Sequence, residues 1–106
     1  LTGGVAKLVG VEDYITKNIA SANLTDLSQS LGYSTVYTGR IVKKLTKLSF
    51  VDYLQTKRLS LATMLLKNSE MAVGEIIKEC GYTNESYFRK IFKERYNKTP
   101  LQYRRN

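Results

Sequence analysis

Apolar residues along this chain recur three or four positions apart, the spacing of helices packed on one face, and no convincing two-residue alternation marks a strand. Residues 1–9 are small, glycine-containing and weakly patterned, and read as a boundary segment. Val11, Tyr14, Ile15 and Ile19 then share one face and predict a first helix over VEDYITKNIA, broken by Ser21-Ala22-Asn23. Thr25-Asp26 opens a second, short helix with Leu24, Leu27 and Leu31 on one side, and the small Ser28 marks a close helix approach. Gly32-Tyr33-Ser34 forms a turn, with Ser34 as N-cap of a third helix from Thr35 to about Leu48. Between Phe50 and Asn68 the apolar coverage is broad. Leu54, Leu61 and Leu65 form a stripe flanked by Val51, Leu59, Ala62, Met64 and Leu66, which predicts a helix packed on both sides with Lys57-Arg58 on an exposed strip. Ala72 to Cys80 follows as a short helix with Val73, Ile76, Ile77 and Cys80 inward.

The last third, GYTNESYFRKIFKERYNKTP, carries the strongest punctuation. Gly81 can take the positive φ of a sharp turn between helices. Asn84 is a good N-cap, and Glu85 sits in the first turn, where the helix dipole favours an anion. Phe88, Ile91, Phe92 and Tyr96 form the inward stripe, while Arg89, Lys90 and Lys93 point elsewhere. Pro100 ends that helix and begins a final short one. The reading is all-α, with seven helices.

The two turns belong to an internal repeat. Leu31-Gly32-Tyr33 matches Cys80-Gly81-Tyr82 at an offset of 49; beyond the turn the offset becomes 50, pairing Tyr37 with Tyr87, Ile41 with Ile91, Val42 with Phe92 and Ser49 with Thr99. One residue is therefore inserted between turn and helix in the second copy. A short helix, a glycine turn and a longer helix with a basic outer face is the helix-turn-helix signature. Residues 1–49 hold the boundary segment, first helix and first unit, residues 50–68 a long linker helix, and residues 69–106 the second unit with its C-terminal helix. Neither unit is expected to hold a core alone.

Charge narrows the partner. The 106 residues carry 17 Lys+Arg against 9 Asp+Glu, a net charge of +8, which favours a polyanion: nucleic acid first, an anionic membrane surface second. The third helix holds Arg40, Lys43, Lys44 and Lys47 and no acid. There is no histidine and no glycine-rich phosphate loop, and the single cysteine, Cys80, lies on the apolar side of a short helix as an inert buried thiol. No catalysis, metal or cofactor is expected. No apolar run is long enough to span a bilayer, and the lone cysteine agrees with a reducing, cytoplasmic setting. A chain beginning at Leu1 instead of Met is expected to be a piece of a longer protein.

LSQSLGYS, FVDYLQTKRLSLATMLL and GYTNESYFRKIFKERYNKTPLQYRR, in this order and spacing, resemble the DNA-binding domain of the AraC/XylS family of bacterial transcription regulators over roughly residues 11–105. The resemblance implies two helix-turn-helix units bridged by a long helix, with both recognition helices entering adjacent major grooves of duplex DNA. Carried over position by position, base reading falls on Val36, Gly39 and Arg40 in the first unit. In the second it falls on Glu85, Ser86 and Lys90, with Arg89 adjacent. Arg40 suits a bidentate contact to guanine, Val36 a thymine methyl and Glu85 a cytosine amino group, although Glu85 equally serves its own helix dipole. Thr25, Ser34, Tyr37, Lys43, Lys44, Asn84, Tyr87, Lys93 and Lys98 are candidates for the DNA backbone, with Thr25 and Ser34 capping helices first. Tyr33 and Tyr82 are read as core packing.

The chain departs from the family pattern in the first recognition helix, with Thr38 and Val42 for Leu and Phe and a glycine at 39. It also has Lys47 and Asn97 where Gly follows each recognition helix, and Ile77 for a small Ala. A second reading is therefore a helical protein-interaction module with weak or lost DNA binding; a membrane binder ranks third. The resemblance further implies an activator, contact with RNA polymerase, and a missing domain that senses a ligand, receives a phosphoryl group or dimerises the chain.

Overall fold

Two turns, 49 residues apart, repeat hydrogen bond for hydrogen bond. Tyr33 N donates to Ser28 O at 3.0 Å and Gly32 N to Gln29 O at 3.2 Å; Tyr82 N donates to Ile77 O at 3.1 Å and Gly81 N to Lys78 O at 2.9 Å. Both are Schellman closures, which need a left-handed residue, and Gly32 and Gly81 supply it at φ 76° and 95°. The inserted residue is Thr83: two positions separate Gly32 from the cap Ser34, and three separate Gly81 from Asn84.

Around these turns the computed structural model, which describes residues 2–106, is helical throughout. The helices are α1 (Thr2–Lys17), α2 (Leu24–Leu31), α3 (Thr35–Thr46), α4 (Phe50–Asn68), α5 (Val73–Glu79), α6 (Glu85–Tyr96) and α7 (Pro100–Arg105), and no strand occurs among the described residues. The chain divides into two compact units, residues 1–57 and 58–106, so α4 begins in one and ends in the other.

Unit 1 buries Val11, Ile15, Leu27, Val42, Phe50 and Leu54 in one cluster. Helix α1 is longer at its start than the spacing predicts. The boundary segment, apart from Leu1, which lies outside the described residues, is helical, and the helix ends at Lys17 instead of Ala20. Glycine lowers the intrinsic helicity of this stretch, but it also permits close packing: a Cβ on Gly10 would stand 3.1 Å from Leu31 Cδ2. Helix α2 starts at Leu24, and its cap is Asn23, not Thr25. Asn23 Oδ1 accepts from Asp26 N at 2.9 Å, and its Nδ2 donates to Asp26 Oδ2 at 2.9 Å. The Tyr14 hydroxyl bridges the Asn23 main chain, accepting from N and donating to O.

Unit 2 has a separate cluster of Leu59, Ala62, Leu66, Ile76, Ile77, Cys80, Phe88, Ile91 and Phe92. Each compact unit has its own core, and each core takes residues from α4, so neither helix-turn-helix closes its core without that helix. The stripe on α4 also differs. Leu54 belongs to unit 1, the buried line in unit 2 is Leu59-Ala62-Leu66, Leu61 and Leu65 are half-buried, and Val51 and Met64 face solvent. One helix serving two cores turns a different face to each. Lys57 and Arg58 are half-buried instead of exposed, because each lies over a ring, Tyr53 and Tyr82 respectively. The bulky Ile77 is fully buried.

Candidate nucleic-acid interface

Burial on α3 and α6 follows one rule. Thr38, Ile41 and Val42 are buried on α3, and Phe88, Ile91 and Phe92 on α6. The three-and-four spacing fixes one inward face, so the remaining positions form an outer face. Val36, Tyr37, Arg40, Lys43 and Lys44 are exposed on α3; Glu85, Ser86, Tyr87, Arg89, Lys90 and Lys93 are exposed on α6. Both helices start from the same cap. Ser34 Oγ accepts from Tyr37 N at 3.1 Å, and Asn84 Oδ1 accepts from Tyr87 N at 3.0 Å. Ser34 is therefore a cap as expected, whereas Thr25 caps nothing and stands exposed on the first turn of α2.

The helix ends are matched as well. Lys47 N donates to Lys43 O at 2.9 Å and Asn97 N to Lys93 O at 2.8 Å, with Lys47 and Asn97 both left-handed at φ 67° and 59°. The geometry that glycine favours is kept without glycine, at a steric cost larger for Lys than for Asn. Gly39 is half-buried, and a Cβ there would meet only Leu24 Cδ2, at 3.8 Å. Packing inside the chain does not require glycine at this position.

Arg89 and Glu85 form an i,i+4 ion pair of 3.6 Å on the exposed face of α6. Such a surface pair contributes little to stability. Lys98 is half-buried. Tyr33, expected in the core, is 37% exposed and meets Tyr37 edge to face at 4.9 Å. Tyr82 is half-buried against Phe88, and burial raises its pKa, partly offset by the charge and hydrogen bond of Arg58. Burial likewise pushes the Cys80 thiol up to about 11, so it stays protonated and unreactive.

Two cations were missed in the sequence. Lys7 donates to the Tyr37 hydroxyl at 3.3 Å and shares with it a groove of about 630 Å³, whose walls include Val5 and Leu8 from α1 and Arg40 and Lys44 from α3. Arg58 lies over the ring of Tyr82. Lys7 was hidden because its segment is glycine-rich, and its offset of 51 from Arg58 differs from the 49 and 50 of the repeat. Among the described residues no group of three metal-ligating side chains occurs, and no helix is long and apolar enough to cross a membrane.

A helix-turn-helix domain family matches residues 27–106. The chain is 31% identical over 96 residues to the HTH-type transcriptional regulator YijO of Escherichia coli K12, covering 90% of this chain but 34% of that protein. It therefore spans about a third of that relative's length. The C-terminal domain of the two-component response regulator yesN from Fusobacterium nucleatum superposes with a TM-score of 0.79 at 33% identity, covering 89% of this chain and 93% of that one. An AraC-type transcriptional regulator from Chromobacterium violaceum shares the fold at a TM-score of 0.89 and 23% identity, over 99% of this chain and 95% of that one. Taken with two capped helices that each turn a basic face outward, these likenesses place the chain in the AraC-type helix-turn-helix family of DNA-binding transcription regulators.

Proposed function

We propose that α3 and α6 are the two recognition helices, each entering the major groove of duplex DNA, in adjacent segments about one helical turn apart. The observation that carries this reading is the duplicated frame: the same Schellman turn, the same cap on the third residue of the helix and the same left-handed exit, 49 and then 50 residues apart. Bases are read by Val36, Gly39 and Arg40 on one helix and by Glu85, Ser86, Arg89 and Lys90 on the other. Gly39 contributes close approach, and Arg89 reaches a base only by leaving Glu85 or by carrying it along. Thr25, Ser34, Tyr37, Lys43 and Lys44, and Asn84, Tyr87, Lys93 and Lys98, set register on phosphates. Because the two units differ in every base-reading residue, one chain reads an asymmetric site.

In the cell the domain serves an activator in the cytoplasm, touching RNA polymerase with exposed surface and taking its signal from a further domain. Its likeness to the C-terminal domain of a response regulator supports that division of labour. Selection from a random pool of duplexes at near-physiological salt tests the reading. An asymmetric motif with two informative blocks about one turn apart is expected. One block alone would reduce the first unit to backbone binding, and no motif from a folded protein would remove the proposal.

A further inference from the structure

Lys7 and Arg58 stand 51 residues apart, Lys7 on α1 and Arg58 on α4, each on the helix before the helix-turn-helix of its unit. Lys7 Nζ lies 5.8 Å from the centre of the Tyr33 ring and 5.7 Å from that of Tyr37, whose hydroxyl accepts its hydrogen bond. The Arg58 guanidinium carbon lies 5.4 Å from the centre of the Tyr82 ring, and the Tyr82 and Tyr87 rings are 6.3 Å apart. Tyr33 and Tyr82 each follow their turn glycine by one residue. Tyr37 and Tyr87 are each the residue whose N–H the cap binds. A cation, a turn tyrosine and a helix tyrosine thus come together twice, with Lys7 against both rings in unit 1 and Arg58 against the turn tyrosine in unit 2.

The chemistry of this arrangement suits a phosphate. Tyr37 and Tyr87 are 43% and 46% exposed, beside the start of each recognition helix, where the DNA backbone flanks the groove. Lys7 donates to the Tyr37 oxygen, which leaves the phenolic hydrogen to donate outward, and a cation at one end of such a chain strengthens the donor at the other. None of the ion pairs among the described residues involves Lys7.

We propose that Lys7 and Arg58 are equivalent phosphate-binding residues, one per unit, each acting with its adjacent tyrosines to hold the DNA strand beside its recognition helix. This inference rests on the DNA-binding reading above and adds α1 and the middle of α4 to the interface.

Salt titrations of a mixed-sequence duplex with the wild-type chain, Lys7→Met and Arg58→Gln test it, with folding checked by thermal melting. Each variant is expected to bind more weakly on every sequence. Its plot of log affinity against log salt flattens by about 0.9, so the affinity lost between about 50 and 200 mM salt shrinks about 3.5-fold. Lys7→Arg keeps the wild-type slope. Wild-type slope and affinity in Lys7→Met, or weaker binding with an unchanged slope, would overturn the proposal. Should Arg58→Gln fail to fold, ethylation interference on the wild-type chain decides: two matched phosphates are required, one beside each helix, and a single one ends the equivalence. A wild-type chain with no salt-dependent duplex binding would sink the DNA reading itself, a result distinct from inert variants of a chain that binds.

Discussion

The two units hold one backbone frame with two different cores. At an offset of 50, Thr38, Val42 and Thr46 in unit 1 stand where unit 2 has Phe88, Phe92 and Tyr96. Unit 2 is filled by rings. Phe88 and Phe92 are 5.7 Å apart, Phe92 and Tyr96 4.7 Å, and Tyr103 of α7 meets both Phe92 and Tyr96. Unit 1 is aliphatic at these sites, and its two threonine hydroxyls turn back to their own helix, Thr38 to Ser34 O at 2.8 Å and Thr46 to Val42 O at 2.7 Å.

Part of the volume missing from α3 is made up on α1. Val11 and Ile15 are buried there with spacing four, at an offset of 51 from Ala62 and Leu66 on α4. Where unit 2 pairs a small Ala62 with large Phe88 and Phe92, unit 1 pairs a larger Val11 with small Thr38 and Val42. Val11 offsets only part of the volume that Thr38, Val42 and Thr46 give up against Phe88, Phe92 and Tyr96, so the two cores are filled in different ways. Thr38 and Val42 are nonetheless fully buried, so α3 is packed into its core despite the smaller residues, which weakens the ground for an interaction module without DNA binding.

The sharpest way to break this comparison is to empty both cores at the same register. Phe92→Ala is expected to cost about 3–5 kcal/mol, and Val42→Ala about 2 kcal/mol, by urea unfolding. Equal losses would mean that the ring at Phe92 stabilises no more than the much smaller Val42 does.

High pH tests a buried phenol of unit 1 next. Tyr53, the unit 1 partner of Tyr103 at the offset of 50, donates to Glu12 Oε1 at 3.1 Å. Burial, then that bond and the Glu12 charge, push its pKa from 10.0 to about 12. The folded state thus favours the neutral phenol. Its contribution, about 3 kcal/mol, is complete below pH 10 and is lost as the pH rises to about 12. Tyr53→Phe should remove that part of the alkaline loss of stability; an unchanged pH profile would refute the assignment.

Smaller effects test the helix exits. Lys47→Gly should stabilise by about 1 kcal/mol, and Asn97→Gly by only a few tenths, since Asn tolerates left-handed geometry. A reversed order would mean that Lys47 has compensating contacts. Gly39→Ala is expected to gain about 0.5–1 kcal/mol from helix propensity. If α3 approaches DNA closely there, the variant melts higher and binds more weakly. Higher melting with unchanged affinity would show that closeness at Gly39 plays no part.

Much of the frame was legible because local chemistry writes it. Gly32, Gly81, Ser34, Asn84 and Pro100 act within a few residues of themselves, so the turns, caps and stops could be placed before any packing was known. Phe88, Ile91 and Phe92 were legible too, because one helix with one buried face keeps a single period. The start of α1 was not, since glycines at 3, 4 and 10 argue against a helix and only the close contact with α2 reveals what Gly10 permits.

By itself, then, the sequence determined the seven helices, the duplicated turn and the basic outer faces, all of which follow from residues near one another in the chain. Tertiary structure alone decided that α4 divides its apolar surface between two cores, that α1 reaches back to Thr2, and that Lys7 and Arg58 come to rest on tyrosines beside the two recognition helices. Burial and side-chain direction depend on what packs from distant parts of the chain, and no local pattern contains that information.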